Sequence, residues 1–424
     1  MIESLHKLFI DIDLDWIDNS NEITDSKAYF QLISIFPNLE NIFQEGSLSE
    51  KDEFQRTIRH IFRLFKIFFL ILDGEFLHDT LSPDSLNVIR EKLLKLHSQN
   101  NIILPIVLMY HDIGRLEDKK DHPYHSYYLI SKMKLLDQFK LSDTEKVIIN
   151  KTIQYHLLFA TIFTGESTFY GVYSLLNDTE FNSLLDNRVK INSFIDTLEI
   201  FTYIDILGYS YARIYDHYVK FYDEINNKLS LILNSWPDKE KALKLAFEYS
   251  QEWLEWRIAC ALRIFQYIET QPYLTEEFYF NKIRESINND IENIVNEISW
   301  DAIRKKYLAN TSKIQMKYGL AMLMLLAFNK FFRGPIKEDE EISSNLILFW
   351  LLLSNEIRSR TSEEQEYLWN IHFMGLPNWW NWDRKFKQEL NYHTLTNIFR
   401  SSRQEFDKTK KEFSLYLDFE PVFN

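Results

Sequence analysis

The sequence predicts an all-α fold, and three observations carry that expectation. The 424 residues include only 9 Gly and 9 Pro, too few to supply the turns of a many-stranded β fold. Hydrophobic residues make up 46% and aromatics 16%, so the chain can bury a large core and long disordered tracts are not expected. Apolar residues also recur at spacings of three and four along most of the chain, the period of one helix face.

Residues 1–50 are acidic and mixed and predict a few short helices. Residues 51–72 (KDEFQRTIRHIFRLFKIFFLIL) predict a long helix, followed by helices near 84–98, 101–113, 122–137, 143–163 and 189–225. At Asn234–Asp238 (NSWPD), Pro237 stands where a new helix can begin, and that helix is expected to run to about Glu269. Further helices are expected near 275–308, 312–332, 340–357, 362–373 and 383–413. Arg333-Gly334-Pro335 and Gly375-Leu376-Pro377-Asn378 are the clearest turns. The pattern divides the chain into an N-terminal extension (1–50), a site-bearing helical bundle (51–230) and a second, mostly helical region (231–424).

Charge and cysteine content narrow the function classes. A formal net charge of -14 disfavours nucleic-acid polymers and anionic lipid, while a bound cation can still make room for a small phosphorylated substrate. The single cysteine, Cys260, excludes an internal disulfide and Cys-based zinc modules. The start MIESLHKLFIDIDLDW lacks the basic region and cleavage site of a signal peptide, so a cytoplasmic location is expected. No membrane span is expected either: Phe62–Leu72 is interrupted by Arg63 and Lys66, and Leu346–Leu353 is too short.

A few polar residues fall on apolar stripes. His60 shares a stripe with Leu64, Ile67 and Ile71, and His111 follows Ile103 and Val107. His156 continues Ile149 and Ile153, and Asp205 extends Leu198 and Phe201. Each is thereby placed on a face that should be buried. An unpaired buried carboxylate costs several kcal/mol, against roughly 5–15 kcal/mol of net stability for a domain. Any one histidine can be satisfied by an ordinary core hydrogen bond. For the full set, with the adjacent His111-Asp112 doublet, a shared divalent cation is the simpler resolution.

The segment LPIVLMYHDIGR (Leu104–Arg115) resembles the signature helix of the HD superfamily of metal-dependent phosphohydrolases. That superfamily orders a His, a His-Asp doublet and a distal Asp, an order that His60, His111-Asp112 and Asp205 reproduce here. A second doublet, His78-Asp79, lies in an expected loop and is treated as a decoy. The layout is closest to the HD domain of the bacterial uridylyltransferase/uridylyl-removing enzyme that acts on the PII protein. There too a long interval, here 51 residues, separates the first His from the doublet. DHPYHS (Asp121–Ser126), IQYHLL (Ile153–Leu158) and LEIFTYIDILGY (Leu198–Tyr209) resemble its later elements. The match covers about 165 residues. DIDLD (Asp11–Asp15) lacks the Gly-Ser element of a nucleotidyltransferase, and Arg115 stands where the family usually has Lys.

The resemblance implies a helical HD bundle that holds one or two divalent transition-metal ions (Mn, Fe, Co, Ni or Zn) on His60, His111, Asp112 and Asp205. His156 is the expected ligand of a second ion. Arg115 is the candidate phosphate clamp, or else a solvated residue after a helix. His122 and His125 compete for a place at the site as second-metal ligand or general acid, and Asp121 is expected to orient His122. The expected activity is hydrolysis of a nucleotide or other phosphoester by metal-activated water. Two alternatives stay open: a catalytically silent nucleotide- or metal-binding regulator, and a di-iron oxygenase. The oxygenase fits the histidine count but lacks the Lys-Arg pair expected after His156, which is followed by Leu-Leu-Phe-Ala-Thr. A homo-oligomer or protein partner, if present, is expected to use the C-terminal half. Trp379, Trp380 and Trp382 mark either a ligand surface or, more in keeping with their density, core or interface packing.

Overall fold

A computed structural model describes residues 1–20, 23–119, 121–164, 169–210 and 214–250, and in the C-terminal part 314–316, 349, 352, 368–375 and 392–423. The chain divides into two units, Met1–Phe163 with Phe169–Phe247, and a second that contains Glu248–Asn424. The described residues are predominantly helical.

The first unit opens with α1 (Ile2–Ile10), α2 (Leu14–Asn19), α3 (Lys27–Ile35) and α4 (Leu39–Ser49). Then come α5 (Lys51–Asp73), α6 (Pro83–Gln99), α7 (Ile103–Tyr110), a 3-10 turn at Ile113–Leu116 and α8 (His122–Lys132). The unit continues with α9 (Asp143–Gln154), α10 (Leu158–Thr164), α11 (Val172–Leu176), α12 (Arg188–Leu207) and α13 (Asp216–Asn234). Residues 239–250 are again helical.

Local chemistry sets several of these boundaries. Ser82 caps α6 by accepting from the Ser85 N–H, with Pro83 in the first turn. Ser142 and Glu145 form a reciprocal capping box at α9. Asn187 caps α12 through the Val189 N–H.

Packing is centred on α5 and α12. The apolar face of α5 buries Phe54, Ile58, Ile61, Phe62, Phe65 and Phe68, each contributing on the order of 1.5–3 kcal/mol of transfer free energy. Phe9 of α1 stacks on Phe65 at 5.2 Å, and Phe36 meets Tyr110 edge-on at 5.7 Å, tying residues 1–50 to α5 and α7. α12 packs against α5, α6, α7, α9 and α13, so it crosses the middle of the bundle. Lys151, only 2% exposed, pairs with Asp178 at 2.7 Å and Glu180 at 2.9 Å, joining α9 to the segment after α11.

Two of the expected helices are interrupted, and one of the interruptions falls at a site residue. The stretch expected at 143–163 breaks after Gln154, which leaves His156 just beyond the end of α9. The stretch expected at 189–225 ends at Leu207 and resumes at Asp216.

In the second unit the structure finds strands inside the helices expected at 312–332, 362–373 and 383–413, while Tyr392–Arg400 of the last is helical. Strands β1 (Ile314–Met316), β2 (Leu368–Met374), β3 (Arg403–Asp407) and β4 (Glu412–Asp418) form a sheet in the order β1-β2-β4-β3. β1–β2 and β2–β4 are parallel, and β3–β4 is an antiparallel hairpin pairing Asp407 with Glu412. Helices α14 (Tyr392–Arg400) and α15 (Glu420–Phe423) flank the hairpin. The alternation in EFSLYLD buries Leu415 and Leu417 on one face, a period of two that short apolar runs easily hide. The Trp379–Trp382 cluster and Cys260 lie outside the described residues.

Candidate metal centre

Six of the residues singled out by sequence meet in the first unit. His60 comes from α5, and His111 and Asp112 from the end of α7. His122 stands at the start of α8, His156 follows α9, and Asp205 lies in the last turn of α12. They form two triads, His60–His111–Asp205 and Asp112–His122–His156; within each, one donor atom per residue lies within 4.8 Å of the others. His60 Nε2 is 2.9 Å from Asp205 Oδ1. His111 Nε2 lies 3.5 Å from the same oxygen and 3.7 Å from Asp112 Oδ2, which links the triads. His122 Nε2 is 3.2 Å from Asp112 Oδ1 and 3.2 Å from His156 Nε2.

Three of the four imidazoles share one orientation device. His111 Nδ1 faces the Leu108 carbonyl at 3.1 Å, His122 Nδ1 the Lys119 carbonyl at 3.1 Å, and His156 Nδ1 the Ile153 carbonyl at 2.7 Å. A carbonyl can only accept, so in all three residues Nδ1 carries the proton and donates it. A ring held in this way, when neutral, presents an Nε2 lone pair to the cluster. For His111 that atom is buried without a hydrogen-bond partner. Metal-ligating histidines are commonly held in this way, through the second ring nitrogen.

Burial and charge act in the same sense. All six residues are buried except Asp205, whose side chain is 14% exposed. Burial, with His122 and His111 beside it, pushes the His156 pKa down to about 3, so this ring stays neutral as a ligand requires. For Asp205, burial raises the pKa, but the His111 and His60 rings that face its Oδ1 outweigh it and hold the carboxyl below its usual range. Asp112 is likewise held well below that range against its burial, by His111, Arg115 and His122. Buried nitrogen lone pairs and two ionised carboxylates, gathered from five helices or helix ends, suit a divalent transition metal.

The remaining sequence candidates are placed as follows. The Arg115 Nε donates to Glu53 at 2.8 Å and lies 3.7 Å from Asp112. His125 faces outward to Glu117 at 3.2 Å, so of the two competing histidines His122 is the one in the cluster. Asp121 does not orient His122; the Lys119 carbonyl does, because it lies in the turn that brings the ring inward. His78 of the second doublet contacts Thr80, and neither His78 nor Asp79 belongs to either triad.

Four neighbours were not anticipated. Glu53, 5% exposed, lies seven residues before His60 and receives the Arg115 guanidinium. Ser126 accepts from the Gly114 N–H at 2.8 Å and donates to the His111 carbonyl at 2.6 Å, binding α8 to the end of α7. Phe201 meets the His111 and His156 rings edge-on at 5.0 and 5.6 Å. Tyr209 stacks on His60 at 4.1 Å. All four continue stripes already marked by site residues (53, 57, 60; 122, 126; 201, 205, 209), which is the signal that was available.

Ser126→Ala is expected to lower stability by about 2 kcal/mol, since two buried hydrogen bonds lose their partner. A denaturant titration of the metal-free chain checks this; a midpoint equal to wild type would show that the hydroxyl is not needed to dock α8.

No family model, no curated protein and no solved structure matches the chain.

Proposed function

We propose that the chain is a metal-dependent phosphohydrolase of the HD type, hydrolysing a nucleotide or another phosphomonoester or phosphodiester. The observation that carries this reading is the contact between His122 and His156. Their Nε2 atoms lie 3.2 Å apart, and both Nδ1 atoms donate to backbone carbonyls. With both Nδ1 atoms donating, the two Nε2 atoms can face each other at this distance only with a proton or a metal cation between them, and a metal also satisfies the neighbouring Asp112. Asp112 supplies matching negative charge at 3.2 Å from His122, and His60, His111 and Asp205 offer a second position of the same chemistry. The resemblance of Leu104–Arg115 to the HD signature supports the assignment to phosphoester hydrolysis.

A divalent cation held by these residues would activate a water at neutral pH and offset the charge of a phosphoryl group. The chain's own groups do the rest. The backbone carbonyls of Leu108, Lys119 and Ile153 fix the imidazoles before any ligand arrives. Asp112 and Asp205 keep their charge in a site closed to bulk solvent on most sides. Arg115, tethered by Glu53, holds a positive charge beside Asp112 where an anionic substrate would approach. Mixed nitrogen and oxygen donors suit manganese, iron, cobalt, nickel or zinc.

The full chain, purified without chelator or nickel resin, is expected to carry about two metal equivalents, one for each triad. It should release product from a chromogenic phosphoester in a metal-dependent manner. A chain that retains no metal, and takes up none from manganese, cobalt or zinc, would sink the reading. The six-residue donor set also suits a di-iron oxygenase. Two equivalents of iron, with oxygen consumption and no phosphoester turnover, would favour that second reading.

A further inference from the structure

We propose that Tyr209 is a substrate-contacting residue of this site, its hydroxyl and the Arg115 guanidinium together gripping the non-bridging oxygens of a phosphoryl group. The proposal rests on the phosphohydrolase reading above. Its first support is position. The Tyr209 ring lies nearly flat on His60, with centroids 4.1 Å apart and an interplanar angle of 23°. His60 itself is 5% exposed, whereas Tyr209 is partly exposed and follows Asp205, the most exposed residue of the cluster. The tyrosine therefore stands at the less buried edge of the donor set, on the side of Asp205.

The second support is that the backbone holds it there. Gly208 approaches His60 so closely that a Cβ would lie 2.9 Å from the imidazole Cε1 and 2.4 Å from Leu64 Cδ2. The Gly208 carbonyl also accepts from Arg63 Nε at 2.8 Å. The chain leaving α12 is thus pinned against α5 one residue before Tyr209.

The third support is the partner. Arg115 is anchored through Nε to Glu53 at 2.8 Å and lies 3.7 Å from Asp112, so it borders the same cluster that Tyr209 borders through His60. A phenol and an anchored guanidinium beside two carboxylate-bearing triads form a donor pair suited to phosphoryl oxygens, since both supply hydrogen bonds.

The test compares wild type, Tyr209→Phe and Tyr209→Leu as full chains loaded with manganese. Metal content is measured by elemental analysis and inorganic phosphate binding by calorimetry. Tyr209→Phe keeps the ring on His60 and removes only the hydroxyl. It is expected to keep full metal content and bind phosphate about tenfold more weakly, as loss of one hydrogen bond to a charged oxygen implies. Unchanged phosphate affinity in Tyr209→Phe would overturn the proposal. So would normal metal and phosphate binding in Tyr209→Phe with metal loss confined to Tyr209→Leu, because the ring would then only pack His60. A metal-loaded wild type that binds no phosphate at millimolar concentration would overturn the proposal and leave the metal centre standing. A wild type that takes up no metal would overturn the underlying reading instead, and the proposal with it.

Discussion

Asp205→Asn is expected to remove metal from the His60–His111 triad and to lower phosphoester turnover by at least about 100-fold. Loss of residues that merely orient a ligand already costs about 10–100-fold in metal affinity or activity, and in the proposed centre Asp205 is itself a donor. One oxygen, Oδ1, stands 2.9 Å from His60 and 3.5 Å from His111, so the substitution removes the charge that both imidazoles face. The shape of the side chain is retained, and the helix around it should stay folded. Elemental analysis is expected to fall from about two equivalents to one, leaving the Asp112–His122–His156 triad loaded.

The pH response should change as well. Burial opposes a charge on His111, but Asp112 and Asp205 outweigh it and raise the pKa of this ring. In the wild type a proton therefore competes with metal for His111 Nε2 increasingly as the pH falls. Without the Asp205 charge that competition weakens. Any metal added back to Asp205→Asn should be held weakly but with a shallower loss on acidification. Two equivalents retained in the variant, with the acid sensitivity of the wild type, would remove Asp205 from the ligand set.

Gly114→Ala is expected to be the most damaging single-methyl change in the first unit. A Cβ at Gly114 would lie 2.3 Å from the Ser126 nitrogen, 2.5 Å from the His122 carbonyl oxygen and 2.7 Å from the His125 carbonyl carbon. All three are backbone atoms of α8, so no side-chain rotation relieves the contact and the helix must move outward. Overpacking of this kind costs about 1–3 kcal/mol, and each of the two Ser126 hydrogen bonds that would break adds about 1 kcal/mol. A fall of roughly 10 °C in Tm is expected for a unit of this size. Because His122 is carried on α8, the second triad should open while the first keeps its metal. Calorimetric unfolding combined with metal analysis separates the two effects. A variant with wild-type Tm and two metal equivalents would show that the 3-10 turn and α8 are not in fixed contact.

The site was legible where polar residues interrupt apolar helical stripes. His60 among Leu64, Ile67 and Ile71, and Asp205 beyond Leu198 and Phe201, could be placed on buried faces without knowing the tertiary arrangement. The His111-Asp112 doublet added a local pattern. What could not be read was direction near helix ends. Whether His122 or His125 turns inward depends on where α8 starts and on a carbonyl three residues back, and sequence periodicity does not resolve either. For the same reason Asp121 was given a role that the backbone fills. Glu53 and Tyr209 sit on the right stripes, but an acid in a first turn and an aromatic after a helix are too common to stand out. The strands of the second unit were missed because EFSLYLD and LWNIHFM are short apolar runs, and the pairing of one with the other spans more than forty residues.

The three carbonyls that hold the imidazoles bear on kinetics as much as on aim. Leu108 and Ile153 lie in the final turns of α7 and α9, where backbone acceptors have no partner within the helix. The imidazole of each helix fills that vacancy on its own chain, so each ring is already oriented, and binding a cation would freeze few further rotamers. Capture should then be limited by shedding water from the ion rather than by rearrangement of the protein. Release, in turn, should need a helix end to fray. Amide exchange at the ends of α7 and α9 would then run at the same pace as exchange of the metal itself.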